Sequence, residues 1–431
     1  MIKRIVLSII ALVVLVILCV VIWFFFFLNP NHYKADLLNS LNKNPNVEVA
    51  INGDMALDIW KMELTAKDVT IHTKNQGLEL AGSWQKATLH TSLKELLFSP
   101  TIPVSALQLD HGEITINDHY QLQNTKSLVR QQQGLLYIDA WLKGFNGNLH
   151  IKSAVTEKGQ TLILSSTKAT YTAQKNKVEV RLPELSISKG LKALTINNIS
   201  IDLNGNQGKV DVQIKHFKPL RLSLDYQAEH FDVERIFNLK GYRLKLNQLA
   251  VHADVEKNKK LDSKIDIEAK QGQLRGINLN KLAHSTNGLI VSLNNGQGIG
   301  GAFQRLRHQL MPLLNNGQIK PNIKEMTTLD KLTINNTLSN SQLVTDQLRW
   351  QAPEFVITGK GKVLLKPFVA NYPLTLSLTG ASNFIIPYHI LYRNHTFQGK
   401  VDEENIRQQI QPIIQKAVQE ALQKRFRAAF R

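Results

Sequence analysis

The sequence predicts a mainly β protein with one N-terminal transmembrane helix. The sheet is expected to be elongated, curved and antiparallel, folded like a taco around an open groove, with few short helices and a C-terminal amphipathic helix. Three observations predict it. Residues 5–28 contain no charged side chain. Roughly twenty short segments between residues 47 and 400 alternate apolar and polar positions with a period of two. Only two or three segments show helical spacing, too few to cover so many one-sided strands.

The first element is the run from Ile5 to Leu28, IVLSIIALVVLVILCVVIWFFFFL. At about 1.5 Å per residue it reaches roughly 36 Å, enough to cross a hydrocarbon core of about 30 Å. A cleaved secretory signal has an apolar region of about 7–15 residues ending in small side chains, whereas this one ends in Trp23 and four phenylalanines. Lys3 and Arg4 precede it, and the charges just after it nearly cancel, so the N-terminus is expected in the cytoplasm and everything from Asn29 across the membrane.

Pro30 stops that helix, and Leu37, Leu38 and Leu41 at helical spacing predict a short second helix over residues 34–43. From Val47 the period becomes two. A short helix is expected at 92–98 (SLKELLF), closed by Pro100 and Pro103. From about residue 135 to 268 alternating segments follow one another, among them KVEVRL, KVDVQI, LRLSLDY and KIDIEA, separated by Gly, Asn, Asp or Lys turns. Antiparallel meanders read this way. Residues 301–315 predict a helical insertion, strands resume from 331 to 378, and residues 403–430 place Ile406, Ile410, Ile413, Ile414, Ala417, Val418, Ala421, Leu422 and Phe426 on one stripe of a helix. The expected organisation is an anchor with a cytoplasmic stub (1–28), an N-terminal β segment (29–130), a central and C-terminal β region (131–400) and a terminal helix (401–431).

The only cysteine, Cys19, lies within the apolar run, so the rest of the chain has no internal disulfide. In an oxidising compartment that excludes the small stapled domains and suits a bacterial periplasm. The net charge is +18, yet the cations are scattered singly rather than gathered on one helix or arm. In a chain expected outside the cytoplasm, that pattern suits acidic lipid head groups or other anionic envelope polymers better than nucleic acid, against the plain alternative of a solvated face that happens to be basic.

No chemistry-bearing motif emerges. The glycines at 296, 298, 300 and 301 lack the spacing and the Lys-Ser/Thr of a phosphate loop, and no strand–helix–strand unit frames them. Residues 380–384 fall one glycine short of a nucleophile elbow. The thirteen histidines show no H-E-x-x-H and no ligand pair at i, i+4. The expectation is no enzyme, no catalytic residue, no metal and no cofactor.

A one-faced sheet with too few helices can be a closed barrel, a two-sheet sandwich or one long sheet curled around an elongated trough, and only the last leaves a groove that suits acyl chains. Its candidate lining is Val210, Val212, Ile214, Leu220, Leu222 and Leu224, with Ser223 facing away. The basic end of the terminal helix, Lys424, Arg425, Arg427 and Arg431, is the candidate contact with a membrane or a partner, against the alternative that this helix caps the last strand.

Several stretches resemble the AsmA family of inner-membrane-anchored envelope proteins. Asn29-Pro30-Asn31-His32-Tyr33-Lys34 is similar to the family's Asp/Asn-Pro-x-x-Tyr, and Val49-Ala50-Ile51-Asn52-Gly53-Asp54 to its first strand and glycine turn. Gly272-Gln273-Leu274-Arg275-Gly276-Ile277-Asn278-Leu279 is similar to Gly-x-Leu-x-Gly-Ile-Asp-Leu, with Asn278 in place of the aspartate. Leu332–Leu338, Gly359-Lys360-Gly361 and Tyr372-Pro373-Leu374 follow in the family's order. The resemblance implies a single-pass inner-membrane protein with its bulk in the periplasm, akin to bridge-like lipid carriers. It further implies phospholipid acyl chains as cargo, phospholipid transport to the outer membrane, and support of outer-membrane biogenesis. The outer membrane or an envelope protein is the expected contact at the C-terminal end. The alternative is an assembly or scaffolding factor that affects outer-membrane protein targeting and insertion and carries no lipid.

Overall fold

Alternation of apolar and polar residues becomes strand almost throughout. The computed structural model describes residues 29–429 apart from 44–46, 59–60, 76–77, 91–104, 117–119, 134, 145, 159–160, 189–192, 218, 238, 240, 258–260, 315–320, 366–367, 381–383 and 394–395. The anchor run with Ile5, Trp23 and Leu28, the helix expected at 92–98, and Arg431 lie outside the described residues. Among the described residues no helix is long and apolar enough to cross a membrane.

The chain divides into two compact units, Met1–Leu191 and Lys192–Arg431. In the first, helix α1 (Lys34–Leu41) precedes strands β1 (Val47–Ile51), β2 (Met55–Asp58), β3 (Glu63–Asn75), β4 (Leu78–His90), β5 (Ala106–Ile116), β6 (Tyr120–Gln132), β7 (Leu135–Gly144), β8 (Gly147–Lys158), β9 (Thr161–Ala173), β10 (Asn176–Arg181) and β11 (Leu185–Ser188). β1 and β2 both pair with β3, a meander runs from β3 to β9, and β10 and β11 both pair with β9, all antiparallel. The boundary expected after residue 130 falls inside β6.

The second unit is a meander of β12 (Leu194–Leu203), β13 (Asn206–Phe217), β14 (Leu220–Asp232), β15 (Arg243–Lys257), β16 (Leu261–Gly276), β17 (Asn322–Ser339), β18 (Gln342–Gln351), β19 (Phe355–Leu365), β20 (Phe368–Leu378), β21 (Ile385–Arg393) and β22 (Thr396–Val401). Each strand pairs antiparallel with the next. Helices α2 (Leu279–Asn294) and α3 (Ala302–Leu314) sit between β16 and β17, and α4 (Glu403–Ala429) follows β22. The expected insertion is α3; α2, unforeseen, is a second helix before it.

α2 forms because Leu279, Leu282, Ala283, Ile290 and Leu293 recur on one side and all are buried. The Asn278 side chain caps it by accepting from the Lys281 N–H at 2.8 Å, a role that asparagine and aspartate fill about equally well. The Thr327 hydroxyl, itself buried, accepts the Leu279 N–H and donates to the Ile277 carbonyl, both at 2.8 Å. Gly276 turns the chain out of β16 with φ +115, packed against Tyr242 and Pro321, a conformation that a side chain would strain. The Gly-x-Leu-x-Gly-Ile-Asn-Leu stretch is therefore the hinge that sends the chain from the sheet onto its apolar side.

The sheet curls, and the backbone shows where. Strand-interior residues Asp68, His111, Asn124, Ser166, Asn198, Gln248 and Gln271 have positive φ, and the ladder register slips beside His111, Asn124, Ser166 and Asn198. An inserted residue bends its strand and increases local twist. A side chain in the left-handed region costs about 1–2 kcal/mol, while glycine in a strand costs about 0.5–1 in entropy. Gln248→Gly and Gln271→Gly are each expected to raise unfolding free energy by about 0.5 kcal/mol in urea titrations; a loss of stability would show that the glutamine side chains hold the bend.

Candidate apolar face

The register assembles the candidate lining. Val210 stands opposite Tyr226, Val212 opposite Leu224 and Ile214 opposite Leu222, and Leu220 shares the side of Leu222 by strand parity. The same side continues across the sheet through Val251, Ala253 and Val255 of β15, Ile265 and Ile267 of β16, and Ile334 and Leu338 of β17. Charged partners project to the other side.

Cover divides this face in two. At one end α2, α3 and α4 seal it: Phe355, Leu376, Leu378, Phe384, Ile386 and Val401 lie beneath Ile290, Leu293, Leu306, Leu310, Ile406 and Ile410 in one core, and Phe355 is 0 % exposed. Among the described residues these helices approach the sheet most closely at β17, β21 and β22. Elsewhere Val212, Ile214, Leu220, Leu222, Leu224, Val251, Val255, Ile265 and Ile267 are half-buried, and only Val210 of the candidate lining is buried. Ser223 faces away from Leu222 as expected but is only 7 % exposed, because its short side chain sits between Gln213 and Asp254 on the adjacent strands. Arg221 and Asp225, both exposed, are the side chains that report on that side.

The floor carries a device that periodicity does not reveal. A Cβ on Gly82 or Gly112 would collide with the Trp84 ring, one on Gly208 with Tyr226, one on Gly361 with Tyr372 and one on Gly399 with Tyr388. Each ring therefore lies over a glycine, paving the sheet instead of standing out from it. One polar patch interrupts the floor. Thr345 Oγ1 donates to Asn336 Oδ1 at 2.7 Å and lies 2.8 Å from the Tyr372 hydroxyl. Among the described residues the Trp84 and Trp350 indole N–H groups and the Tyr226 hydroxyl are buried without a hydrogen-bond partner. Burial pushes the Tyr226, Tyr242 and Tyr388 phenols above the ordinary tyrosine range, with Asp202 adding to the effect at Tyr226 and Tyr388 at Tyr242. All three stay neutral at physiological pH.

In the first unit α1 packs on the sheet. Leu37 and Leu38 pack on a core of Ile51, Met55, Ala66, Val69, Trp84, Ala87 and Leu109. The Asn-Pro-x-x-Tyr-Lys stretch fixes this helix: Asn29 accepts the Asn31 N–H, the Asn31 amide both accepts from the Met55 N–H (2.8 Å) and donates to its carbonyl (2.9 Å), and Lys34 Nζ donates to the Gly53 carbonyl at 3.0 Å. Asn31→Ala strips a part-buried backbone pair of its partner and is expected to cost about 1–3 kcal/mol, read as a lower urea midpoint; an unchanged midpoint would make the motif incidental to folding. Farther along, Leu136 and Leu162 are exposed.

The opposite side is polar and held by cross-strand pairs. His252 Nδ1 lies 2.6 Å from Asp225 and Nε2 3.3 Å from Asp254. The hydrogen bond with Asp225, then that with Asp254, raises the His252 pKa above its usual 6.5 against the opposing effect of desolvation. A raised folded pKa means that the contribution is fully present below the unfolded value and lost as pH rises through the folded one. Stability is expected to fall on going from pH 6 to pH 8 by less than about 1 kcal/mol, because the pair is screened by solvent. His252→Gln is expected to flatten that slope in urea titrations at the two pH values, and an unaltered slope would assign it elsewhere.

In α4, Lys424 and Arg425 are exposed, while the side chain of Arg427 and all of Arg431 fall outside the described residues. Gly296, Gly298 and Gly301 have positive φ in the turn between α2 and α3, and Arg305 donates to the carbonyls of Gly298 and Gly300, so the turn is occupied by the chain's own cation. Among the described residues no group of three His, Cys, Asp or Glu is placed to hold a metal ion. Comparison with known proteins gives no matching family model, and no curated protein or solved structure with significant similarity.

Proposed function

We propose that this chain is an AsmA-like protein anchored in the bacterial inner membrane. Its bulk lies in the periplasm, where the curled sheet holds phospholipid acyl chains and supports lipid movement to the outer membrane and outer-membrane biogenesis. The observation that carries the reading is the half-burial of Leu222, Leu224, Ile265 and Ile267 with no facing layer among the described residues. Side chains that large, screened without a cover, fit the inner side of a curl. A sixteen-carbon tail exposes about 12 kcal/mol worth of methylenes to water, so a lipid crosses an aqueous space only on such a surface. The eleven strands of the second unit, at about 4.8 Å each, give a face roughly 50 Å wide across the strands.

The test is purification of the full chain with lipid mass spectrometry, combined with photocrosslinkers at Leu222 or Leu224 and, as controls, at Arg221 or Asp225. Lipid adducts are expected at the first pair alone. Equal yields on both sides would overturn the groove. A lipid-free protein that still promotes outer-membrane protein insertion would leave the scaffolding role instead.

A further inference from the structure

Helix α4 carries one apolar stripe along its length, and the body covers only the first half of it. Ile406, Ile410 and Ala417 are buried, whereas Val418, Leu422 and Phe426 are 38 %, 49 % and 62 % exposed. The helix parts from the body beside the turn between α2 and α3, where Gly296 lies near the Ala417 carbonyl. Spacing of four residues keeps 418, 422 and 426 on one side of the projecting end. Beyond Glu420 the sequence has no acidic residue, while Lys424, Arg425, Arg427 and Arg431 follow. Among the described residues no carboxylate pairs with Lys424 or Arg425.

That combination selects its occupant. A second copy laid against the same stripe would cover the leucine and phenylalanine but bring two cationic ends together. An anionic surface satisfies both the apolar stripe and the charge. We infer that the projecting end of α4, residues 418–429, docks on an anionic phospholipid bilayer, with Val418, Leu422 and Phe426 at the acyl boundary and the cations among the phosphates. The inference rests on the lipid-carrier reading in placing this end of the second unit where lipid is collected or released.

The test uses the full chain with Cys19→Ser and one new cysteine, Leu422→Cys or Phe426→Cys, with Glu420→Cys on the opposite side of the helix as control. Each is labelled with an environment-sensitive fluorophore and reconstituted into vesicles containing spin-labelled lipid, either with phosphatidylglycerol or with phosphatidylcholine alone. Quenching at 422 and 426 is expected to be about tenfold stronger in the anionic vesicles and weakened by salt, with little at 420. No quenching at 422 and 426, or equal quenching in both vesicle types, overturns the docking. So does a 422-to-422 crosslink between copies in its place. Because these side chains are exposed, an unchanged melting temperature serves as the folding control. Photocrosslinking at Leu222 on the same preparation separates the two ideas. Lipid adducts at 222 without quenching at 422 sink the docking alone, and quenching at 422 without adducts at 222 leaves the docking and sinks the carrier.

Discussion

Phe355→Ala is expected to lower the unfolding free energy of the second unit by about 3–5 kcal/mol, and Leu224→Ala by only about 1. Both side chains belong to the apolar side of one sheet; what differs is the layer above them. Phe355 is fully enclosed by residues of α2, α3, α4 and the strands around it, so its truncation leaves a cavity among atoms that have nowhere to collapse. Leu224 already meets solvent, so truncation removes a partial transfer term and opens no void. Urea titration followed by tryptophan fluorescence reads both, since Trp350 packs against the sealed core. Comparable losses at the two positions would mean that the strand face is sealed throughout, and the open surface on which the lipid proposal stands would be gone.

Parity along single strands was enough to group Val210, Val212, Ile214, Leu220, Leu222 and Leu224, because a period of two is a local property and the strands around them are regular. It was not enough for Ser223. Which side a residue faces is set by its own strand, but its exposure depends on the length of Gln213 and Asp254 on neighbouring strands. The positive φ of Gln248 and Gln271 left no trace either, since a glutamine in the left-handed region is written like any other glutamine. The rings of Trp84 and Tyr372 over Gly112 and Gly361 were invisible for a related reason: the pairing is cross-strand and appears only once register is known. α2 escaped because Asn280, Ser285, Thr286, Asn287, Gly288 and Ser292 give it low helical propensity. Its apolar spacing, once aligned on Leu279, was there to be read, and tertiary burial overrides the propensity.

Leu224→Glu combined with Ile267→Glu is expected to reduce the phospholipid recovered with the purified chain by about tenfold or more while lowering stability by about 2 kcal/mol, about 1 for each half-buried side chain. The two residues sit on neighbouring rows of one face, Leu224 opposite Ala253 and Ile267 opposite Val251, so one acyl chain lying along the sheet would touch both. With the face empty, each carboxylate reaches water, which is why the fold tolerates them. Beneath a hydrocarbon tail each is an unpaired charge in an apolar layer, a penalty of several kcal/mol where 1.4 already reduces occupancy tenfold. Asp225→Lys, on the polar side, alters charge by twice as much per site and is expected to leave lipid recovery unchanged. Lipid mass spectrometry on the three proteins decides the matter, because a sheet that binds lipid through its charged side, or does not bind it at all, reverses or erases the order of the double variant and the control.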